Sequence, residues 1–163
     1  MVLSKMIASL VLTAAVTPAA AHPLEHSREL WATVDVCGPK NQPETIGIRG
    51  SMPGDGQATD TMYMRFSVQY LNPATGKWLD VGKGADSGFL KVGSGTLTRQ
   101  AGDSFQLALT AGKASYKLRG YVIFQLRKGS TVIETAARPT AAGHKSLAGA
   151  DPRGFSSATC VLS

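Results

Sequence analysis

Residues Tyr116–Arg138, YKLRGYVIFQLRKGSTVIETAAR, decide the fold of this chain. From Leu118 onward, apolar side chains largely alternate with Arg, Tyr and Gln, the period of two that is typical of a strand with one buried face. Lys128 and Gly129 supply a tight turn, because Gly adopts positive φ without steric cost. The alternation resumes at Ile133 on the return strand. The stretch therefore predicts a β-hairpin.

The N-terminal segment has the composition of a secretory signal. Lys5 gives it a positive start, Met6–Val16 is apolar but too short to span a bilayer, and Ala19–Ala21 fits the small-residue cleavage rule. We therefore expect a signal peptide at residues 1–21 and a mature chain that begins at His22. This places the mature chain outside the cytoplasm, secreted, extracellular or in the cell envelope. Its remaining sequence has no apolar run of spanning length, so we expect no transmembrane segment.

The rest of the chain predicts one all-β domain. Residues 22–29 are polar, include an early Pro and are expected to form a flexible N-terminal arm, so that the domain comprises residues 30–163. Regular spacing of short alternating segments, with Gly- and Pro-rich turns and no helical pattern, indicates a β-sandwich. Besides the hairpin, strands are predicted at Trp31–Cys37, Thr45–Ser51, Thr61–Leu71, Lys77–Val81, Gly88–Val92, Ser104–Thr110 and Phe155–Leu162.

Two cysteines, Cys37 and Cys160, lie in the first and last predicted strands. In an oxidising compartment an isolated pair is expected to form a disulfide. A thiolate metal site would need Cys or His at close spacing, which the sequence lacks.

Two segments carry a family resemblance. Residues 63–81, YMRFSVQYLNPATGKWLDV, resemble the C–C′ hairpin of fibronectin type III and related immunoglobulin-like domains, and residues 111–124, AGKASYKLRGYVIF, resemble their E–F corner and strand F. The resemblance implies a two-sheet immunoglobulin-like sandwich, here with an extra C-terminal strand, in which strands C and F share a sheet. It also implies that Tyr116 is the corner tyrosine, with its hydroxyl bonded to nearby backbone. The whole chain further resembles small exported bacterial proteins of unassigned function.

If strands C and F share a sheet, their outward side chains form one surface. Tyrosine and arginine are the residue types that anchor interfaces, so this surface is the candidate binding site. Its members are Tyr63, Arg65, Gln69, Lys117, Arg119, Tyr121, Gln125 and Arg127.

The sequence therefore favours a non-catalytic binding or adhesion module without a cofactor, whose partner is a protein or a cell-wall polymer. The net charge of +6 attracts anionic surfaces, but the basic residues are scattered, so specific nucleic-acid binding is not expected. The sequence has no G-x-S-x-G nucleophile motif, in keeping with a protein that is not an enzyme. A structural envelope component without a discrete ligand is an alternative.

A second alternative is a copper protein. Cleavage after Ala21 would give His22 a free amine beside its imidazole, which resembles the histidine brace of copper carriers and polysaccharide monooxygenases. Imidazole and amine nitrogens suit Cu(II), and His26 or His144 would supply the second ring. His144 lies in the long segment Thr140–Gly154, which is either a functional loop or a strap over one edge of the sandwich.

Overall fold

The structure, a computed structural model, describes residues 24–110, 115–144 and 148–163. The predicted signal segment and His22 lie outside these ranges. Within them, no helix is long and apolar enough to cross a membrane. The described elements are a 3-10 helix at Leu24–His26 and strands β1 (Trp31–Cys37), β2 (Thr45–Met52), β3 (Asp60–Leu71), β4 (Trp78–Asp80), β5 (Asp86–Ser94), β6 (Arg99–Gln106), β7 (Tyr116–Lys128), β8 (Thr131–Pro139) and β9 (Cys160–Leu162).

The strands form two sheets, which confirms the all-β, two-sheet prediction. One sheet has the order β1-β2-β6, and the other has the order β4-β3-β7-β8. In the larger sheet, β4 and β5 pair with different parts of the same edge of β3. β8 and β9 likewise pair with different parts of the edge of β7 that faces away from β3. All strand pairs are antiparallel. β3 and β7 are therefore the two central strands of the six-stranded sheet.

Alternating side chains of the central strands form the core. β3 buries Met62, Met64, Phe66 and Val68 completely, and β7 directs Phe124 and its apolar neighbours against the opposite sheet. The residues between them remain half-buried on the other face. The period of two in the sequence thus corresponds to one buried and one open face of the same sheet.

Gly120 fills the inward position of β7 where the alternation lacks an apolar side chain. A Cβ at this position would lie 2.8 Å from side-chain carbons of Ile48 and 2.7 Å from Cγ2 of Thr140. The Gly120 amide instead donates to the Thr140 hydroxyl at 3.0 Å. Glycine therefore allows the second sheet and the segment after β8 to approach this strand closely.

The predicted hairpin is present, but its turn is one residue further along the chain. Gly129 and Ser130 form the turn, since Lys128 pairs with Thr131, and Gly129 has a φ of 60°. In the pairing of β7 with β8, Arg127 lies opposite Val132 but Leu126 lies opposite Glu134. Ile133 is therefore an extra residue on β8, as in a β-bulge. Such a bulge exchanges the faces of the return strand, so that Ala136 is buried while Ile133 is 47% exposed.

The predicted bounds of three further strands were wrong. β6 spans Arg99–Gln106 instead of Ser104–Thr110, because it pairs with β2 along its whole length. β5 is longer than Gly88–Val92 and runs from Asp86 to Ser94. β9 is limited to Cys160–Leu162, although the preceding Phe155 still packs against the core. Glycines interrupt the alternation in β5, and β6 begins with mainly polar residues that show no apolar alternation.

The segment predicted as a flexible arm makes specific contacts from Leu24 onward. Leu24 is buried, and its amide donates to the Glu134 carboxylate on β8. Arg138, also on β8, donates to the carbonyl of Glu25. The contacts of the domain thus begin at Leu24 and not at Leu30.

Residues 140–144 and 148–157 form a strap along β1, in agreement with the second interpretation of this segment. The Ala141 amide donates to the Ala32 carbonyl at 2.8 Å, and the Asp151 amide donates to the Asp35 carbonyl at 2.9 Å. Val34 and Ser157 exchange two backbone bonds of 2.9 and 3.0 Å. The strap thereby pairs the edge of β1 that β2 leaves open.

A buried ion pair lies beneath the strap. Arg49 Nε donates to Asp35 Oδ2 at 2.9 Å, with side chains 14% and 5% exposed. Gly149 of the strap lies directly over this pair, since a Cβ there would come within 2.4 Å of Arg49 Nη2. Burial raises the pKa of Asp35 above its ordinary value, and the attraction of Arg49 offsets this only in part.

The predicted disulfide is confirmed. Cys37 at the end of β1 is bonded to Cys160 at the start of β9, across 123 positions of sequence. Since β1 and β9 belong to different sheets, the bond connects the two layers covalently.

Replacing both cysteines, Cys37→Ala/Cys160→Ala, is expected to lower the free energy of unfolding by about 4 kcal/mol, because a loop of this length is no longer closed in the unfolded chain. Urea denaturation of the oxidised protein and the variant measures the difference. A loss below about 1 kcal/mol would mean that packing alone holds β9 on the sandwich.

The variant Asp35→Asn tests the direction of the pKa shift of Asp35, because the asparagine side chain does not titrate. Since the folded-state pKa of Asp35 lies above 3.8, its contribution to stability is present below the unfolded pKa and is lost as the pH rises through the folded pKa. As the pH falls from about 7 to about 4, the wild type should therefore gain stability relative to the variant. Chemical denaturation at several pH values checks the sign, and a relative loss would mean that Arg49 outweighs burial.

Candidate functional site

The structure places the predicted surface residues together on the side of the six-stranded sheet that points away from the core, which we call the outer face. β3 and β7 pair so that Gln69 lies opposite Arg119 and Tyr63 lies opposite Gln125. Tyr121 lies opposite Ser67, whose hydroxyl donates to the Tyr121 carbonyl at 3.1 Å. These side chains are neither buried nor fully exposed. The predicted set is therefore one continuous surface.

At one end of the outer face, Arg127 contacts two aromatic rings. Its Cζ lies 4.1 Å from the ring centroid of Tyr63 and 4.8 Å from that of Phe89 on β5. Its Nε and Nη2 both donate to Gln125 Oε1, at 2.9 and 2.6 Å. These stacking and hydrogen-bond contacts fix the plane of the guanidinium. We call this group the Arg127 cluster.

Arg65 occupies the middle of the face and is paired with Asp86. Its Nε and Nη2 donate to the two carboxylate oxygens at 2.9 and 2.5 Å, and its Cζ is 6.0 Å from the ring centroid of Phe89. The hydrogen bond from Arg65 lowers the pKa of Asp86, so this carboxyl group stays ionised at neutral pH. Because both side chains are partly exposed, the pair contributes little to stability, and its main effect is orientation.

At the other end, Arg119 is stacked on Trp78 of β4, with Cζ 4.4 Å from the ring centroid. Its Nε donates to Gln69 Oε1 at 2.9 Å, and Gln69 Nε2 donates to Asp80 Oδ1 at 3.0 Å. Burial lowers the pKa of Arg119, and nearby Tyr121 opposes the shift. We call this group the Arg119 cluster. Its guanidinium is partly desolvated, which strengthens any contact with an anion.

A cleft of about 570 Å³ separates the two clusters. Its walls combine apolar surface with polar side chains, which are Arg65, Ser67, Gln69, Asp80, Lys83, Asp86 and Tyr121. A second cavity of about 460 Å³ is lined by Tyr70, Leu107 and Tyr116 and shares Lys83 and Gly84 with the cleft.

Five residues of the site were not predicted, one of which, Lys83, lies in the loop between β4 and β5. Trp78 and Asp80 come from β4, and Asp86 and Phe89 come from β5. β4 could have been assigned to the outer face from the register of the predicted hairpin at residues 63–81, because cross-strand partners share a face. Phe89 could not be placed, because the surrounding sequence is rich in glycine.

The predicted copper ligands are only partly described. His26 is exposed on the 3-10 helix, and the ring of His144 stacks on Trp31 with centroids 4.7 Å apart and planes 6° from parallel. The described part of the chain contains no group of three His, Cys, Asp or Glu side chains arranged to hold a metal. Because the brace requires His22, the copper hypothesis stays a prediction.

Tyr116 packs against the core from the start of β7. Residues 111–114, which precede it and would contain a backbone partner for a corner tyrosine, lie outside the described ranges. The predicted hydroxyl bond therefore stays a prediction.

Comparison with known proteins gives no family. No family model matches the sequence, and no curated protein matches it. Among solved structures, the chain is similar to a Bacteroides fragilis crystal structure described as a proposed beta-galactosidase, with 12% identity and a TM-score of 0.35. The match covers 73% of this chain and 17% of that chain. The chain thus spans a small part of that protein's length, and the likeness carries no functional assignment.

Proposed function

We propose that this protein is a non-catalytic binding module that acts outside the cytoplasm, and that its ligand-binding surface is the outer face of the six-stranded sheet. The partner is an anionic macromolecule of the cell surroundings, a cell-wall polymer or a protein. Binding is non-covalent and requires no cofactor.

One observation carries the proposal: Arg119 and Arg127 are fixed in place, yet neither is paired with a carboxylate among the described residues. Each stacks on an aromatic ring and donates to the amide oxygen of a glutamine. An arginine has five N–H donors, so each guanidinium keeps donors for a ligand. Carboxylate, sulfate and phosphate groups match the geometry of these donors.

The charge of the whole outer face supports an anionic partner. Among the described residues at outer-face positions of β3, β4, β5 and β7, five are basic and two are acidic. The basic residues are Arg65, Lys91, Lys117, Arg119 and Arg127, and the acidic residues are Asp80 and Asp86. A surface with this excess attracts anionic macromolecules and accelerates their association.

The strand order supports the immunoglobulin-like, fibronectin type III-like assignment. β3 and β7 are neighbours, as the resemblance requires of strands C and F, and β4 follows β3 as a hairpin in the place of strand C′. β9 is then the extra C-terminal strand. Domains of this architecture serve many functions, so the proposed binding role depends on the outer face and not on the fold.

Two features support export. Cys37 and Cys160 form a disulfide, and disulfides form and persist mainly in oxidising compartments. The composition of residues 1–21 is that of a secretory signal.

The double variant Arg119→Gln/Arg127→Gln tests the proposal. Binding would be measured by calorimetry and co-sedimentation against dextran sulfate, polygalacturonate, polyglutamate, neutral dextran and insoluble peptidoglycan. We expect the protein to bind at least one of these polymers, and the variant to weaken that binding at least about tenfold, because oriented arginines anchor interfaces.

The matched control is Lys40→Gln/Arg153→Gln, which removes two positive charges from exposed loop positions outside the outer face. This control should weaken binding no more than about threefold, because it changes only the overall electrostatic field of the protein. Equal losses in both variants would show that net charge and not the outer face attracts the polymer. Absence of binding to every polymer would contradict the proposal.

A further inference from the structure

We infer that the ligand is an acidic polysaccharide, with a hydroxyl-rich sugar unit in the central cleft and its acidic groups on Arg119 and Arg127. This inference rests on the proposed function, because it uses the same face and identifies the ligand class.

The cleft presents both acceptors and donors, which is what a sugar requires. Asp80 contributes carboxylate oxygens, while Arg65 and Lys83 contribute N–H groups. Asp86 is already occupied by Arg65 and the Gly88 amide. Asp80 has one described side-chain partner, Gln69, whereas a carboxylate can accept about four hydrogen bonds. A sugar hydroxyl donates one bond and accepts others, so it can be bound by both kinds of group. A site for a simple anion would instead contain donors without carboxylates.

The three arginines are arranged along an extended line. Arg119 and Arg127 lie on β7 eight residues apart, which corresponds to about 27 Å between their Cα atoms. Arg65 pairs with Ile123, halfway between them. A single small anion cannot reach both ends of this line. An extended chain that crosses the cleft can contact both clusters at once.

Other linear anions fit the outer face less well. A peptide could not add to the sheet here, because β3 and β7 are paired on both sides along most of their length. A polyphosphate chain has no hydroxyl groups between its charges, so it has no donors for the Asp80 carboxylate in the cleft. A polysaccharide separates its acidic groups by neutral hydroxyls, and this pattern matches basic clusters on either side of a mixed cleft.

Three probes separate the parts of this inference. Polygalacturonate has both sugar hydroxyls and carboxylates, its methyl ester has the sugars without the charge, and polyglutamate has the charge without the sugars. We expect the wild type to bind polygalacturonate at least about tenfold more tightly than either of the other two, since each lacks one set of contacts. Equal affinity for polyglutamate and polygalacturonate would overturn the inference.

The variant Asp80→Ala tests whether loss of this carboxylate weakens or strengthens the binding of polygalacturonate. Asp80 is exposed and has a single side-chain contact, so the fold should tolerate the change, which thermal unfolding checks. If Asp80 accepts bonds from sugar hydroxyls, the variant binds polygalacturonate about tenfold more weakly but binds polyglutamate no more weakly, because a loosened Gln69 and Arg119 would weaken the binding of both polymers. If the face attracts charge alone, removal of a carboxylate strengthens binding instead. The control Glu44→Ala removes one negative charge before β2, outside the outer face, and should strengthen binding slightly.

The outcomes also separate this inference from the proposed function. If Asp80→Ala strengthens binding, or if polygalacturonate does not bind, the polysaccharide inference is wrong. The proposed function then still stands, provided that Arg119→Gln/Arg127→Gln weakens binding to dextran sulfate, polyglutamate or peptidoglycan. If Arg119→Gln/Arg127→Gln weakens binding to none of the polymers, both the proposed function and the polysaccharide inference are wrong.

Discussion

The pairing of β3 with β7 is the constraint on which the rest of the structure depends. The two strands are in register from Asp60 opposite Lys128 to Tyr70 opposite Leu118. Because side chains alternate across a strand, this single register fixes both faces of the sheet. A slip of one residue would turn Phe66 and its neighbours outward and bury the arginines. Core and candidate site are therefore specified by the same interaction.

The stacked arginines of the outer face contribute more to preorganisation than to stability. An exposed cation–π contact is worth about 0.5–1 kcal/mol, and holding an arginine costs a comparable share of about 2 kcal/mol of rotamer entropy. Stacking on Trp78 and on Tyr63 with Phe89 orders these side chains before any ligand arrives. A ligand then loses less free energy to ordering, which is the usual benefit of a rigid site.

The sequence predicts the central strands well, because alternation is strong where one face of a strand is buried and the other is open. β3 and β7 follow this pattern, and the outer-face residues could be placed from it. β5 and β6 could not be bounded from sequence, because β5 buries no side chain completely and β6 begins with the polar stretch Arg99–Ser104, so neither has a strong apolar alternation. The position of Phe89 on the outer face could therefore not be predicted, although its ring contacts both Arg65 and Arg127. The bulge before Glu134 and the strap depend on pairing between distant segments, for which a local pattern contains no signal.

The chain treats its two sheets differently, and this asymmetry favours the outer face as the working surface. On the three-stranded sheet, the strap, the disulfide and the Asp35–Arg49 pair all secure β1. The described residues place no comparable segment over the outer face of the larger sheet. Burial nevertheless lowers the pKa of Arg119 on that face, so the fold partly desolvates a cation that no carboxylate pairs with among the described residues. Such a group costs free energy in the isolated protein, and an acidic ligand is the kind of partner that would recover it.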